Sequence, residues 1–378
     1  MKLEGVRVVD LSLFLPGPHL SMMMGDHGAE VIAVEPPEGE PNRQIGIRAN
    51  GHSVWFRNTH RGKKSICLDL KNAQDRAALL ELCKTADVVI ESFRSGVIDR
   101  LGLSYEAVSA INPAVIYCSI SSYGQDGPKR FLAAHDLSVE ADTGVVSLNL
   151  GNDGQPAMPG MPVADMAVSL MSLSGILMAL YRRKETGRGE FLDMSMQDCL
   201  FAWLGNAMGP AFGEGRPPKV QEERSWGGSS MYGIYRTRDG RHLTLGGGEP
   251  KFTTNLLNAL ERPDLLEFAL QPPGPVHSPV KDFFREIFAT RDLAEWTAWF
   301  EGRDIAFAPV RDLTEAIREP HLLARQMVLR DGEGNFHLGL PIKFKHEPGR
   351  PVFALPEKGQ HNSSVLGGKS EHSAAGTT

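Results

Sequence analysis

The chain has 378 residues, 41% hydrophobic and 23% charged, a globular composition that excludes a disordered or fibrous protein. Its length favours two domains, or one large domain with a substantial insertion. A formal net charge of -6 offers no general attraction to nucleic acid or an anionic membrane surface, so an anionic ligand has to be held by a local cluster of donors.

The opening "MKLEGVRVVDLS" lacks a basic region followed by an apolar stretch and a small-residue cleavage site, so no secretory leader is read and a cytoplasmic protein is expected. Short β-branched runs then alternate with helical patterns: "VRVVDLS", "AEVIAVEPP", "KSICLDL", "ADVVIESF" and "AVIYCSISSYG" are strand candidates. That alternation is the signature of βαβ units and a mainly parallel sheet. The first strand and helix are joined by "LFLPGPHLSMMMGDHGA", which lacks the three-glycine spacing of a dinucleotide loop. Asn72 is a candidate N-cap for the helix between the third and fourth strands. The four cysteines, Cys67, Cys83, Cys118 and Cys199, are far apart, so neither a disulfide framework nor a zinc site is expected. His19, His27 and His60 lack metal-ligand spacing and an acid partner, so surface or packing roles are expected for them.

Residues 165 to 183 are apolar on nearly every face, which predicts a helix buried on all sides; the serines in it argue against a membrane span. "GEFLDMSM" resumes as a strand. Composition over 201–228 shifts to Gly, Pro and charge, which predicts a linker. A smaller α+β unit follows over 229–330, with "YGIYRTRDGRHLTLGGG" as a hairpin on a "DG" turn and helices near 251 to 261, 280 to 290 and 292 to 301. The chain beyond about 355 is polar, and "GGKSEHSAAGTT" is expected to fray.

Three titratable residues stand at junctions between regular elements, where a rigid scaffold usually places functional groups. His135 follows "FLAA", Asp165 opens the apolar helix, and Glu249 follows "LTLGGG" and opens another. A carboxylate at a helix N-terminus meets unpaired N–H groups and the positive dipole end. Each of the three also admits a plain structural role, as a cap or a packed histidine.

Blocks along the chain carry a resemblance. "LSLFLPGPHLSMMMGDHGAEVIAVEPPEGEPNR", "SICLDLKN", "ESFRSGVIDRLGL", "SSYGQDGP", "RRKETGRGEFLDMSM" and "REPHLLAR" resemble, in order, the signature blocks of the class III (CaiB/BaiF) coenzyme A transferase superfamily, which also contains the α-methylacyl-CoA racemases. The resemblance runs from about residue 4 to about residue 366. It implies an α/β fold with a Rossmann-like large domain over 1–200, a smaller α+β domain, a C-terminal segment over 331–378 that returns to the large domain, and two chains interlocked as a homodimer. It also implies acyl-CoA thioester chemistry without a metal or redox cofactor, coenzyme A being part of the substrate.

Asp165 stands where the family keeps its catalytic aspartate. In the transferases that carboxylate attacks the thioester and forms a mixed anhydride; in the racemases it shares an α-proton exchange with a histidine through an enolate. The racemase pattern has a His-Asp pair where transferases commonly have an aromatic residue, and this chain reads "AAHD". Removing an α-proton from a thioester needs a base titrating near neutrality, as imidazole does, and stabilisation of charge on the thioester oxygen. The resemblance therefore casts His135 and Asp165 as acid/base partners, the backbone N–H of Asp136 as oxyanion donor, and Glu249 as the carboxylate that orients His135. "SWGGSSMYGIY" is closer to the racemase form of the glycine loop, whereas "FRNTHRGKKSICLDLKN" resembles the transferase version of its block at least as well. A member that binds an acyl-CoA without turning it over is the non-enzymatic alternative.

For coenzyme A the matching positions are Leu15, Pro16, Lys71, Phe93, Arg94, Arg100 and Ala134, with Arg61, Lys63 and Lys64 as a local positive cluster. Lys63 and Lys64 could equally be a solvated loop. Many members carry an arginine just after the "VE" of the second strand. Here Pro36 stands there, and Arg43 is the candidate substitute. "MPGMPVA" and "WLGNAMGPAF" suggest an apolar, Met-lined acyl site.

Overall fold

The computed structural model describes residues 1–151, 153–223 and 226–367. Six strands, β1 (Arg7–Asp10), β2 (Glu30–Glu35), β3 (Lys64–Cys67), β4 (Val88–Glu91), β5 (Ile116–Ser121) and β6 (Glu190–Ser195), form one sheet. All six predicted runs are there. Their spatial order is β3-β2-β1-β4-β5-β6, with every neighbouring pair parallel. The protein therefore has a mixed α/β fold around a parallel central sheet. β1, at the centre, is a run of Val8 and Val9 with no exposure, as a strand covered on both faces requires.

Helices connect the strands: α1 (Pro16–Asp26), α2 (Val54–His60), α3 (Ala73–Cys83), α4 (Tyr105–Ile111), α5 (Asp136–Asp142), α6 (Val163–Thr186) and α7 (Met196–Ala202). Pro16 opens α1, where a missing N–H costs nothing. Asn72 caps α3 by accepting the Gln74 N–H at 2.8 Å. Gly17 is required by close approach, because a Cβ there would overlap the Ser12 side chain. The strand order reverses between β1 and β4, so the crevice beyond their C-terminal ends is a topological switch point, the usual ligand position in such sheets.

α6 departs from expectation. One face, with Ala164, Ala167, Val168, Ser169, Ser172, Leu173 and Ile176, is buried, but Leu177, Met178 and Tyr181 are exposed, the last two by 66% and 72%. By length and composition the helix could cross a membrane: 24 residues, with a hydropathy of 1.8 over its most apolar window. Its inner face instead packs on α1, α5, α7 and β6.

The chain divides into two compact units. One comprises Met1–Thr143, Pro159–Trp203 and Pro320–Thr378; the other, Gly144–Met158 and Leu204–Glu319. The stretch expected as a free linker over 201–228 thus belongs mostly to the second unit, and it contains the helix Gly209–Glu214. Residues 320–367 share a unit with the N-terminus, held by bonds such as His361 N–H to Ser65 O (2.9 Å) and Gly62 N–H to Ala354 O (2.8 Å). The fraying expected at the end of the chain falls on residues outside those described.

The second unit has a three-stranded antiparallel sheet, with β8 (His242–Gly246) between β7 (Tyr232–Arg236) and β9 (Phe307–Pro309). The predicted hairpin is β7–β8, and Gly240 of its "DG" takes φ +78°. Helices α8 (Pro250–Ala259), α9 (Ser278–Phe288) and α10 (Leu293–Phe300) close a core around Trp296, Phe284 and Phe288.

Candidate active site

The site in the first unit is built at the C-terminal ends of β1, β4 and β5. After β1 the chain runs through Ser12, Leu13, Phe14 and Leu15 into α1. Leu13 donates its N–H to Ser92 Oγ at 3.2 Å, which ties this turn to the one after β4 across the switch point. Leu15 is the N-cap residue of α1 and Pro16 its buried first residue. Phe14 adopts φ +66°, unusual for a bulky side chain and costing on the order of 1–3 kcal/mol. The surroundings fix it: Glu40 Oε1 accepts the Phe14 N–H at 3.0 Å, and the buried Asn42 donates to the Phe14 carbonyl. The Phe14 ring then stands edge-on to His135, with centroids 6.3 Å apart.

His135 is exposed and is the N-cap residue of α5. The carbonyl just before it, on Ala134, accepts from Ser122 Oγ at 3.1 Å, so the loop is anchored beyond the end of β5. Asp136 is the first residue of α5. Its N–H has no acceptor within the helix, as first-turn donors never do.

Asp136 also joins His135 to Asp165. The N-cap position of α6 is Pro162, which has no side-chain acceptor, so the first N–H groups of that helix need partners from elsewhere. Asp136 Oδ1 accepts from Ala164 N–H at 2.9 Å and from Asp165 N–H at 3.0 Å, while Glu140 Oε1 accepts from Val163 N–H at 3.2 Å. The residue directly after His135 is thereby bonded to the backbone of Asp165. Burial, together with the neighbouring Asp136 and Glu140, raises the Asp165 carboxyl to about 7. One turn further along α6, Ser169 Oγ meets His19 Nδ1 at 2.9 Å; burial and the nearby Lys63 and Arg61 lower His19 to about 4, which leaves it neutral.

Of the expected coenzyme A positions, Leu15, Pro16, Phe93 and Arg94 border the switch point, and Lys71 follows β3. Lys71, Arg94 and Arg100 are exposed, and among the described residues no carboxylate pairs with their side chains. A Cβ built on Gly96 would lie 3.6 Å from Arg100 Nη1 and 3.9 Å from the exposed Phe131 ring, so a cation and an aromatic face flank that turn. Phe93 is half-buried against the core, and its N–H bonds Glu91 at 2.8 Å.

Three cations expected near coenzyme A are otherwise employed. Arg61 is buried, bound through two nitrogens to Asp26 (2.6 and 3.1 Å) and by a third to Leu338 O. Lys63, a possible surface lysine from sequence, is fully enclosed and bonded to Asp10 (3.2 Å) and Pro18 O (2.9 Å). Arg43, the candidate substitute for the arginine that Pro36 replaces, is held by both oxygens of Glu35 at 2.6 and 2.7 Å. Lys64 pairs with Glu30 at the surface. Partner carboxylates already satisfy the donors that a phosphate would need.

Glu249 stands in the second unit as the exposed N-cap residue of α8, without a side-chain cap bond. It lines a cleft of about 770 Å³ with Trp226, Tyr232 and His277. Its assigned pairing with His135 rests on the family resemblance alone. Met158 and Met161, expected around the acyl group, are exposed.

Sequence reading passed over Glu140, Phe14, Glu40 and Asn42. The spacing of Asp136 and Glu140, four residues apart and hence on one helix face, was the available signal for the first; the strained turn gave none.

The fold is that of a doubly wound parallel α/β protein with a crevice at its switch point, and the carboxyls of Asp136, Glu140 and Asp165 gather at the start of α6. The sequence model of CoA-transferase family III matches residues 3–362, and the chain belongs to that family. It is 34% identical over 345 residues to the α-methylacyl-CoA racemase of Mus musculus, covering 88% of this chain and 84% of the relative. It is 31% identical over 382 residues to the succinyl-CoA:glutarate CoA-transferase of Mus musculus, covering 96% and 85%. A CaiB/BaiF family protein from Brucella suis superposes with a TM-score of 0.85 at 28% identity, covering 97% of this chain and 99% of that one. The chain is accordingly a CoA-thioester enzyme.

Proposed function

We propose that the protein epimerises the α-carbon of a 2-methyl-branched acyl-CoA, with His135 and Asp165 exchanging a proton on opposite faces of an enolate. The observation that carries this reading is the exposed His135 at the start of α5, one residue before Asp136, whose carboxylate accepts the Asp165 N–H at 3.0 Å; burial and two neighbouring acids raise the Asp165 carboxyl to about 7. A reversible two-base exchange needs one loaded and one empty base on opposite faces of the α-carbon, and a carboxyl near 7 can serve in either state at neutrality. The exposed His135, fixed through Ala134 and faced by the Phe14 ring, is free to reach a substrate. The Asp136 N–H serves as the oxyanion donor.

The second reading is acyl-CoA:carboxylate transfer with Asp165 as nucleophile, which the transferase relatives favour. The His135-Asp136 pair, where the resemblance puts an aromatic residue in most transferases, counts against transfer.

Phe93 and the cations Lys71, Arg94 and Arg100 are proposed to hold coenzyme A, with Arg61 left out because Asp26 occupies it. The exposed apolar face of α6 supports an interlocked homodimer in which a second copy covers Met178 and Tyr181. Light scattering of the full chain should give the mass of two chains, and the mass of one would refute the dimer.

His135→Ala should lower the α-exchange rate by about 10²–10⁴-fold while thioester binding persists. Retained exchange in that variant would overturn the acid/base assignment.

A further inference from the structure

Glu140 has no place in the reaction proposed above, yet its position is costly. It is fully buried, and among the described residues only one of its carboxyl oxygens is matched: Oε1 accepts the Val163 N–H, whereas Oε2 meets no donor. A buried, unmatched carboxylate oxygen carries a desolvation cost of about 1–3 kcal/mol or more. The group next to it is the carboxyl of Asp136, on the same face of α5 four residues earlier. Two ionised carboxylates in that arrangement repel each other. A proton on Glu140 resolves both problems, since Oε2 then becomes a donor to Asp136.

We propose that Glu140 is a positioning residue for Asp165: in its neutral form it donates to Asp136, the two together seat the first turn of α6, and loss of that proton opposes the ionisation of Asp165. This rests on the reading in which Asp165 moves a proton, and it adds a second acid that titrates with it.

The surroundings leave few other groups to account for such behaviour. The charges acting on Asp165 are Asp136 and Glu140, and the one acting on Glu140 is Asp136. α5 packs on α6 and α7. From α7, Asp198 acts on Asp193 and Cys199 instead. Asp142, at the far end of α5, is paired with Lys129 and accepts from Gln197. His19, from α1 against α6, is neutral. Burial and the Asp136 contact raise Glu140 to about 7, the same range as Asp165. Two acids that repel while titrating together lose their protons in two spread steps rather than one.

The test compares the pH profile of α-deuterium exchange in the wild-type protein and in Glu140→Gln. Glutamine mimics the neutral acid: its oxygen accepts from Val163 and its amide donates to Asp136, so the fold should be kept. The wild-type acid limb should be broader than a single ionisation. In Glu140→Gln it should sharpen, with any part from His135 unchanged, and move to lower pH by about one unit. Infrared spectra at pH 6.5 should show the band of one protonated carboxyl lost in the variant. A wild-type limb that fits a single ionisation, or superimposable profiles with an unchanged carboxyl band, would overturn the proposal. The wild-type shape decides even if the variant does not fold. If no thioester shows α-exchange, the epimerase reading fails, and the infrared comparison still decides whether Glu140 carries the proton.

Discussion

Two groups of cations lie near the coenzyme motifs, and they do opposite work. Arg61 and Lys63 are enclosed at the two ends of α1, each matched to a carboxylate, Asp26 and Asp10. Arg94 and Arg100 stand exposed after β4, with no carboxylate among the described residues pairing with them. In the first group, positive charge is neutralised inside the fold; in the second it stays exposed, which is why it is proposed to hold the coenzyme. Availability for phosphate is decided by the partner carboxylate, and proximity to a motif does not reveal it.

The largest expected effect tests the buried group. Arg61→Ala leaves Asp26 buried without its counter-charge and should cost about 3–5 kcal/mol of stability, read as a lower denaturant midpoint. Replacing both partners, Arg61→Met with Asp26→Leu, should recover most of that loss. If Arg61→Ala instead raises KM for an acyl-CoA at unchanged stability, the two groups have been assigned the wrong way round.

A smaller effect is expected at the rim. Arg100→Ala should raise KM for the acyl-CoA about tenfold, equivalent to about 1.4 kcal/mol, at nearly constant stability. An unchanged KM would remove Arg100 from the coenzyme site.

The smallest effect separates the regions by pH. Burial raises Glu91, beneath the Phe93 turn, from its ordinary value near 4.5 to about 7, and raises Glu40 likewise. These two groups therefore hold more protons in the native state than in the unfolded chain between these values, and their contribution to stability should fall as pH rises from about 4.5 to about 7. Glu91→Gln, fixed in the neutral form, should flatten part of that slope in urea midpoints measured at pH 5 and pH 8. An unaltered slope would mean that Glu91 is ionised in the native state.

The central sheet was legible because β-branched runs bounded by Gly, Pro and Asn punctuation specify strands locally. Asn72 and the 240-region turn were legible for the same reason. Arg61 and Lys63 were not, because their partners lie 35 and 53 residues away in sequence and only the fold brings them close. The exposed face of α6 was misread as buried: hydropathy reports that a face is apolar, without saying that the rest of the chain folds over it. His135 and Asp165 were found through flanking motifs, and the structure adds the link between them, the Asp136 carboxylate bonded to the Asp165 N–H. Phe14 was invisible in this respect, since a non-glycine at positive φ is held there by Glu40 and Asn42 from a later loop.

The most direct test is to incubate one epimer of a 2-methylacyl-CoA with the protein in deuterated water, with and without succinate. The account predicts α-deuterium uptake with loss of chirality, independent of succinate. Succinate-dependent appearance of a new thioester, with the α-hydrogen and the chirality retained, would contradict it and make Asp165 the nucleophile of a transferase.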